Sequence, residues 1–177
     1  AEKLERLATN YSRKADKSLQ IEDDAAASAY ASKPAFLSGG GGLVSTASDY
    51  LRFCQMLLNR GELDGRRILG RKTIELMTQN HLPENRDIAS LNPGGQFSQV
   101  IYDGVGFGLG FSVAIDLARA QTVGSLGEYA WGGAASTAVW IDPAEDLIVI
   151  FMTQFMPSGT FNFRGQLKSI VYPAIVD

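Results

Sequence analysis

The sequence predicts an α+β fold, in which helices pack on an antiparallel sheet, and three patterns carry that prediction. Apolar residues recur at helical spacing after Thr46. Between residues 107 and 115 they alternate instead with small residues, at the period of two typical of a strand. Residues 147–152 form an unbroken apolar run directly after a turn. The short connections between the later strands favour an antiparallel meander with helices packed on it.

The first predicted helix has a clear start and stop. Thr46 is a good N-cap, and Asp49 three residues later completes a variant of the capping box. Gly61 ends the helix, and Asp64-Gly65 forms a turn. Its apolar stripe consists of Tyr50, Phe53, Cys54, Leu57 and Leu58. Because Cys54, the one cysteine, lies inside this stripe, we expect a small core residue rather than a reactive thiol.

A second, shorter helix is predicted over residues 72–79, with Ile74 and Met77 on its inner side. The single histidine, His81, follows it and is expected to be a surface or capping group. No acidic residues stand at metal-ligand spacing from His81, so we expect neither a metal nor a cofactor.

A loop is predicted between Asn85 and Gly104, where periodicity is absent. Asn92-Pro93-Gly94-Gly95 and Asp103-Gly104 are turn signals. A loop of about 20 residues inside a compact domain is either functional or mobile. The sequence leaves both interpretations open, and in the functional one the loop could line a site.

Three strands and a helix are predicted in the remainder. One strand runs through Tyr129 and Trp131, a second covers residues 137–141, and the third, 147–152, is expected to be fully buried. Asp142-Pro143-Ala144-Glu145-Asp146 forms the turn between the last two. Near the C-terminus Phe163, Leu167, Ile170 and Val171 mark an amphipathic helix, which Pro173 should end or kink.

Composition limits the class of protein. The chain has 177 residues, 45% hydrophobic and 20% charged, which predicts one soluble globular domain over residues 1–177. A formal net charge of −3 argues against a nucleic-acid partner. No stretch approaches the roughly 18 apolar residues of a membrane span. Composition leaves the compartment open.

The chain offers no complete catalytic constellation. It contains no Gly-x-Ser-x-Gly elbow, no Ser-x-x-Lys pair and no Tyr-x-Asn motif, so no catalytic residue is assigned. The four glycines from Gly39 to Gly42 suggest a phosphate cradle, but no Gly-Lys-Ser/Thr follows them. The phosphate interpretation therefore fails.

The segment from Glu128 to Ser136 is the best remaining candidate for a site. Gly132 and Gly133 have no side chains, so a ligand could lie directly against the backbone of this strand. Free backbone amides there could bind an oxyanion. Trp131 would then supply a flat apolar wall. Alternatively, the two glycines form a bulge and Trp131 belongs to the core. The residues alone leave both interpretations open.

Several motifs, in order, resemble the serine β-lactamase/penicillin-binding-protein-like superfamily. The resemblance favours its esterase branch, the family VIII-type carboxylesterases and class C β-lactamase-like proteins. It extends from about Ala35 onward. Its motifs are Ser38-Gly39-Gly40-Gly41-Gly42-Leu43-Val44-Ser45-Thr46-Ala47-Ser48-Asp49-Tyr50, Arg71-Lys72-Thr73-Ile74-Glu75-Leu76-Met77-Thr78, Gly106-Phe107-Gly108-Leu109-Gly110-Phe111, Tyr129-Ala130-Trp131-Gly132-Gly133-Ala134 and Trp140-Ile141-Asp142-Pro143.

The resemblance implies a partial β-lactamase/transpeptidase-like fold and an acyl-enzyme mechanism. In such proteins the serine of Ser-x-x-Lys attacks the acyl carbonyl, and the lysine acts with a tyrosine on the proton. Trp131, Gly132 and Gly133 stand where a third motif lies on an edge strand, and the Ala134 amide is implied as an oxyanion donor. Tyr129 and Glu128 are candidate substrate-pocket residues. The substrate would be a small ester or a β-lactam-like molecule, with no cofactor.

Both missing motifs normally precede the region present here, so we expect the C-terminal part of a hydrolase that is inactive alone. An uncovered apolar face would then favour a homo-oligomer. Two alternatives stay open. One is a noncatalytic binding or scaffold domain that keeps the sheet. The other is an enzyme whose remaining half is a separate chain.

Overall fold

The computed structural model of the chain describes residues 3–91 and 102–176. The Asn92-Pro93-Gly94-Gly95 part of the predicted loop lies outside the described residues. The helices are α1 (Ala47–Leu58), α2 (Arg71–Met77), α3 (Ile88–Leu91), α4 (Leu117–Ala120) and α5 (Phe163–Val171). The strands are β1 (Asn10–Arg13), β2 (Leu19–Asp23), β3 (Glu62–Leu63), β4 (Arg66–Arg67), β5 (Val105–Phe107), β6 (Ser112–Ala114), β7 (Tyr129–Gly132), β8 (Ala138–Asp142), β9 (Leu147–Phe151) and β10 (Phe155–Met156).

The main sheet is an antiparallel meander in the order β5-β6-β7-β8-β9. Each strand pairs with its neighbours along the chain, which confirms the predicted α+β class and the meander of the last three strands. β7 is the central strand of the five. The third motif was expected on an edge strand, and that expectation is wrong for the sheet as a whole.

The two faces of the sheet carry different elements. Tyr129 pairs with Ile141, and both are buried in one apolar cluster with Cys54 and Leu57 of α1. Glu128 and Trp140, at alternate positions, face Lys168 of α5. Because successive strand residues point to opposite faces, α1 and α5 cover opposite sides of the sheet.

Helix α1 begins and ends close to its predicted bounds. The Thr46 hydroxyl oxygen accepts a hydrogen bond from the Asp49 amide at 3.1 Å. Cys54 is buried, and burial raises the pKa of its thiol to about 11, which confirms its place in the core. Phe53, however, is exposed, and Met56 is buried in its stead. After the helix the chain folds back so that β3 contacts α1. The helical pattern alone does not show which side of α1 such a later element covers.

The strand predicted over residues 107–115 is two strands. β5 and β6 form a hairpin whose turn is closed by the Gly108 amide, which donates to the Phe111 carbonyl at 2.7 Å. Gly110 adopts a φ of +101°, which glycine tolerates best. A Cβ on Gly108 would collide with the Met77 carbonyl. The apolar alternation continues through the turn and therefore concealed it.

The expectation that residues 147–152 are fully buried is wrong. Every residue of β9 is half-buried, and Met152 is exposed. β9 is the last strand of the sheet, so it has a pairing partner, β8, on one edge only. An unbroken apolar run indicates a strand, but its depth depends on its place in the sheet.

The remaining two helices lie where they were predicted, but Ile170, which was predicted on the apolar stripe of α5, is exposed. α2 has Ile74 buried and Met77 against the core, and α5 ends before a short 3₁₀ turn that contains Pro173. The His81 Nε2 lies 2.7 Å from the Leu76 carbonyl oxygen, so the imidazole satisfies the C-terminal end of α2. No helix in the described ranges is long and apolar enough to cross a membrane.

The N-terminal region forms a second sheet in the order β10-β1-β2, which the sequence patterns did not predict. β1 runs parallel to β10, with Tyr11 opposite Phe155. Residues 29–45 then lie exposed along their whole length. The large hydrophobic side chains exposed there are Tyr30, Phe36, Leu37, Leu43 and Val44.

Leu57 tests the α1 side of the core. Its side chain is 2% exposed, and Leu57→Ala should lower the free energy of unfolding by about 2–5 kcal/mol because it leaves a cavity. Leu51 on the same helix is 45% exposed, and Leu51→Ala should change that free energy by about 0.5 kcal/mol or less. Urea unfolding followed by circular dichroism measures both. Equal losses in the two variants would contradict the placement of the core.

Candidate functional site

The candidate site lies at the end of β7. Its register with β8 runs without a shift from Tyr129 opposite Ile141 to Gly132 opposite Ala138. Trp131 is 38% exposed and packs edge-on against Phe107, with ring centroids 5.1 Å apart. The glycines therefore form no bulge within β7, and Trp131 is not a core residue.

The end of β7 has one open edge. Pairing with β6 stops at Ala130, which lies opposite Ser112. On the other side the Gly133 amide donates to the Thr137 carbonyl at 3.1 Å. Because amides in an antiparallel pair face the partner at alternate residues, the Gly132 amide points to the edge that β6 has left open. The central strand thus becomes locally an edge strand.

Ala134 follows in the turn between β7 and β8 and is exposed. Its amide has no acceptor among the described residues. The rest of the turn is held in place: Ser136 donates from its amide to the Gly133 carbonyl at 3.1 Å and from its hydroxyl to the Phe155 carbonyl at 2.6 Å. The Phe155 amide donates in return to the Ala135 carbonyl at 3.0 Å. A free amide on a fixed turn is suited to bind an anionic oxygen.

Arg164 of α5 completes this end of the strand. One terminal nitrogen of its guanidinium donates to the Thr137 carbonyl at 3.1 Å and, at 3.5 Å, to the Gly133 carbonyl. The group lies directly over Gly132, where a Cβ would collide with it. Sequence reasoning missed Arg164, because nothing along the chain links it to a strand some 30 residues away.

Tyr129 and Glu128 lie away from the open edge. Tyr129 is 2% exposed within the α1 cluster, and burial raises the pKa of its phenol. Glu128 is 5% exposed on the opposite face, where Lys168 forms an ion pair with it. Trp131, Gly132, Gly133 and Ala134 are therefore brought together at one place, whereas these two side chains point into the protein. Their contact with a substrate stays a prediction.

A buried network fastens α5 to the sheet. The Tyr172 hydroxyl oxygen lies 2.6 Å from a carboxylate oxygen of Glu128 and 2.7 Å from one of Asp142. Burial, followed by the hydrogen bonds to both carboxylates, raises the pKa of Tyr172 far above its usual range. Lys168 is one helical turn from Arg164, so both project from the same side of α5. The network thereby sets where the Arg164 guanidinium lies.

The described ends of the predicted loop are joined by Asp87. Its carboxylate accepts from the Gly104 amide and the Ser90 amide, each at 2.9 Å, and pairs with Arg119 at 2.7 Å. The Gly104 hydrogen bond is the largest influence that lowers the pKa of Asp87. Tyr102, next to this junction, has its pKa raised by burial, against the opposing charge of Arg164. That the loop lines a site stays a prediction.

The family model described as Beta-lactamase matches residues 1–169. The chain belongs to the beta-lactamase family. The resemblance seen in the motifs is thereby confirmed at the level of the superfamily, while its esterase branch stays a prediction.

Curated relatives agree in sequence. The chain is 36% identical over 160 residues to Protein Rv1367c of Mycobacterium tuberculosis, and equally to Uncharacterized protein MT1414 of another strain of that organism. The match covers 89% of this chain and 38% of each relative. The chain thus spans less than two fifths of the length of these relatives.

Solved structures agree in fold. The LovD6 mutant of simvastatin synthase (LovD) from Aspergillus terreus superposes with a TM-score of 0.74 at 22% identity, over 97% of this chain and 43% of that one. EstCE1, described as a hydrolase with promiscuous acyltransferase activity, superposes with a TM-score of 0.73 at 24% identity, over 97% and 45%. At these identities the likeness establishes the fold, which confirms the predicted partial β-lactamase-like architecture.

Asp87→Asn should destabilise the protein in a pH-dependent way. The lowered pKa means that the carboxylate contributes stability at neutral pH and loses that contribution as the pH falls below the unfolded value of about 4. The variant should lose about 1–3 kcal/mol of unfolding free energy at pH 7, and its acid sensitivity below about pH 4 should flatten. Denaturant unfolding at several pH values measures both.

Asp103→Asn is the matched control. Asp103 faces the same Arg119, at 3.7 Å, but its side chain is 51% exposed. An exposed pair of this kind contributes about 1 kcal/mol or less. If Asp103→Asn destabilised the protein as much as Asp87→Asn, the junction assigned to Asp87 would be wrong.

Proposed function

We propose that this chain forms the C-terminal part of a serine hydrolase that cleaves carboxylic esters through an acyl-enzyme. The observation that carries the proposal is the exposed Ala134 amide, without an acceptor among the described residues, on the fixed turn after Trp131-Gly132-Gly133. Residues 1–177 act as a single domain in this proposal. They supply the oxyanion-binding side of the site.

The proposed chemistry divides between this chain and a nucleophile-bearing segment. A serine of a Ser-x-x-Lys motif attacks the ester carbonyl, and the carbonyl oxygen gains negative charge in the tetrahedral intermediate. The Ala134 amide donates one hydrogen bond to that oxygen, and the amide of the nucleophile donates the other. Removing one such donor typically costs about 2.7–4 kcal/mol of transition-state stabilisation.

Trp131 supports the preference for esters. An exposed indole occupies the position at which a cationic side chain would hold the carboxylate of a β-lactam. An apolar ring instead favours an uncharged acyl or alcohol group, because burying it removes apolar area from water. Hydrolysis of β-lactam-like molecules is therefore proposed as the weaker activity.

The exposed segment at residues 29–45 supports the proposal that further protein covers this chain. Leu43 is 96% exposed, and Phe36, Leu37 and Val44 are exposed beside it in sequence. The curated relatives extend over more than twice the length that the chain matches. In its isolated state the chain is proposed to associate through these apolar side chains.

A second candidate function is a noncatalytic binding or scaffold domain. The absence of Ser-x-x-Lys and Tyr-x-Asn from the sequence favours it. It requires a stable monomer that gains no hydrolytic activity when a nucleophile-bearing segment is supplied.

Ester hydrolysis separates these proposals. The 177-residue chain should not turn over p-nitrophenyl acetate or butyrate, whereas a chain extended upstream through a Ser-x-x-Lys segment should, with phosphonate labelling of that serine. In the longer chain Ala134→Pro removes the amide hydrogen and should lower kcat by about 10²–10³-fold. Ala134→Ser keeps the amide at an exposed position and should retain activity.

Circular dichroism must show that the proline variant is folded. Saturable, phosphonate-sensitive turnover by the 177-residue chain itself would refute the proposal that the nucleophile lies on a segment outside this chain. An inactive longer chain would favour the binding domain.

Association of the isolated chain is a separate expectation. Size-exclusion chromatography with light scattering should show dimers or larger species, and replacing Leu37 and Leu43 together by Ser should shift the population towards monomer. Replacing the exposed Ile68 and Leu76 by Ser provides a control of the same apolar loss elsewhere. A chain that is entirely monomeric at all concentrations would contradict the proposed association through residues 29–45.

A further inference from the structure

The peptide unit that joins Gly133 to Ala134 is bonded at one end only. Its carbonyl accepts from the Ser136 amide at 3.1 Å and from Arg164 at 3.5 Å. Its N–H, which belongs to Ala134, has no acceptor in the part of the chain that the structure describes. One side of a single peptide group is thus held by the protein, and the other side is left for a ligand.

Arg164 makes the longer of its two contacts, at 3.5 Å, with the carbonyl of this peptide unit. The same guanidinium nitrogen donates to the Thr137 carbonyl at 3.1 Å, and that carbonyl also accepts from the Gly133 amide at 3.1 Å. No carboxylate among the described residues lies within ion-pair distance of Arg164. Its hydrogen bonds go to the two carbonyls that flank the turn, and its positive charge also acts on the Tyr102 phenol.

Fixing the carbonyl also fixes the amide. A peptide group is planar and trans, so the direction of its C=O determines the opposite direction of its N–H. A charged donor on the carbonyl also polarises the group, which makes its N–H a stronger donor. Each effect favours a hydrogen bond from Ala134 to a negatively charged oxygen.

We propose that Arg164 is a positioning residue that sets the direction and the donor strength of the Ala134 amide. It acts through the Gly133 carbonyl and does not touch the substrate. Gly132 belongs to the same device, because only a residue without a Cβ leaves room for the guanidinium over the strand. The catalytic consequence rests on the proposed function, whereas the coupling of Arg164 to Ala134 is a property of the chain itself.

Nuclear magnetic resonance on the 177-residue chain tests the coupling directly. Arg164→Met removes the donor at similar length, and the Ala134 amide proton should move upfield, with Gly133 and Thr137 also shifted. Arg164→Lys keeps a cationic donor and should give a smaller displacement in the same direction. Arg66→Met is the control, because Arg66 is exposed and forms no side-chain hydrogen bond or ion pair with the described residues.

A second variant, on β7, perturbs the same contact of the Arg164 guanidinium. Gly132→Ala keeps the arginine, but the new Cβ would collide with the guanidinium and with the Thr137 carbonyl that the guanidinium bonds, so the Ala134 signal should move upfield as it does in Arg164→Met. Amides of the α1 cluster, such as that of Ile141, should keep their positions, which shows that each variant is folded. The proposal would be overturned if Arg164→Met and Gly132→Ala displaced the Ala134 signal no further than the control Arg66→Met does.

Kinetics in the upstream-extended chain separate this inference from the proposed function. With active serine counted by phosphonate titration, Arg164→Met should lower kcat for p-nitrophenyl butyrate about tenfold and leave KM nearly unchanged. That loss is smaller than the 10²–10³-fold cost of deleting an oxyanion donor. Arg164→Lys should restore part of it.

The outcomes are distinguishable. If the extended chain is active and Arg164→Met matches Arg66→Met in kcat, the inference fails while the proposed function stands. If the extended chain is inactive, the proposed function fails, and the resonance of Ala134 alone decides whether Arg164 positions the amide.

Discussion

The ion pair between Lys168 and Glu128, beneath the Tyr172 hydroxyl, is the contact on which the candidate site depends. It fastens α5 to the face of the sheet opposite α1, and Asp142 joins it through the same phenol. Buried pairs of this kind add little net stability, because desolvation offsets their attraction. Losing one partner, however, leaves an uncompensated charge and typically costs about 3–5 kcal/mol. The contacts hold α5 against this face of the sheet, and we expect loss of either Lys168 or Glu128 to cost more than the pair contributes in net stability.

The position of α5 determines where Arg164, one helical turn from Lys168, lies. Arg164 projects from the same side of α5 and lies over Gly132, where it bonds the carbonyls at the start and end of the β7–β8 turn. On the other face of the strand Trp131 packs against Phe107. The end of β7 is thus held from both faces, while its edge is open because β6 begins only at Ser112. At the end of β7 the backbone is therefore held by its neighbours, while amides at its open edge have no partner among the described residues.

The apolar surface is distributed unevenly over the chain. The α1 side of the main sheet has a packed cluster, whereas residues 29–45 expose five large hydrophobic side chains. A stretch of this kind is unusual on the surface of a complete globular domain. The curated relatives match this chain over less than two fifths of their length. Under the proposed function, further protein covers this surface.

Local signals determined the elements that depend on neighbouring residues. The Thr46 cap, the α1 periodicity, the turn after Asp142 and the α5 stripe could all be recognised from a few residues. The hairpin turn between β5 and β6 could not, because alternation continues through it. The second sheet escaped prediction because β1 pairs with β10, more than 140 residues away along the chain.

The sequence by itself determined the family, through motifs in a definite order, and the α+β class, through periods of 3.6 and 2. Only the tertiary structure decided which way the candidate residues face. Tyr129 and Trp131 lie on the same side of β7, yet α1 buries the first and leaves the second exposed. Only the fold brought Arg164 and Ala134 to one peptide group. Such contacts join residues distant in the chain, and they follow from packing and burial, which leave no periodic trace in the sequence.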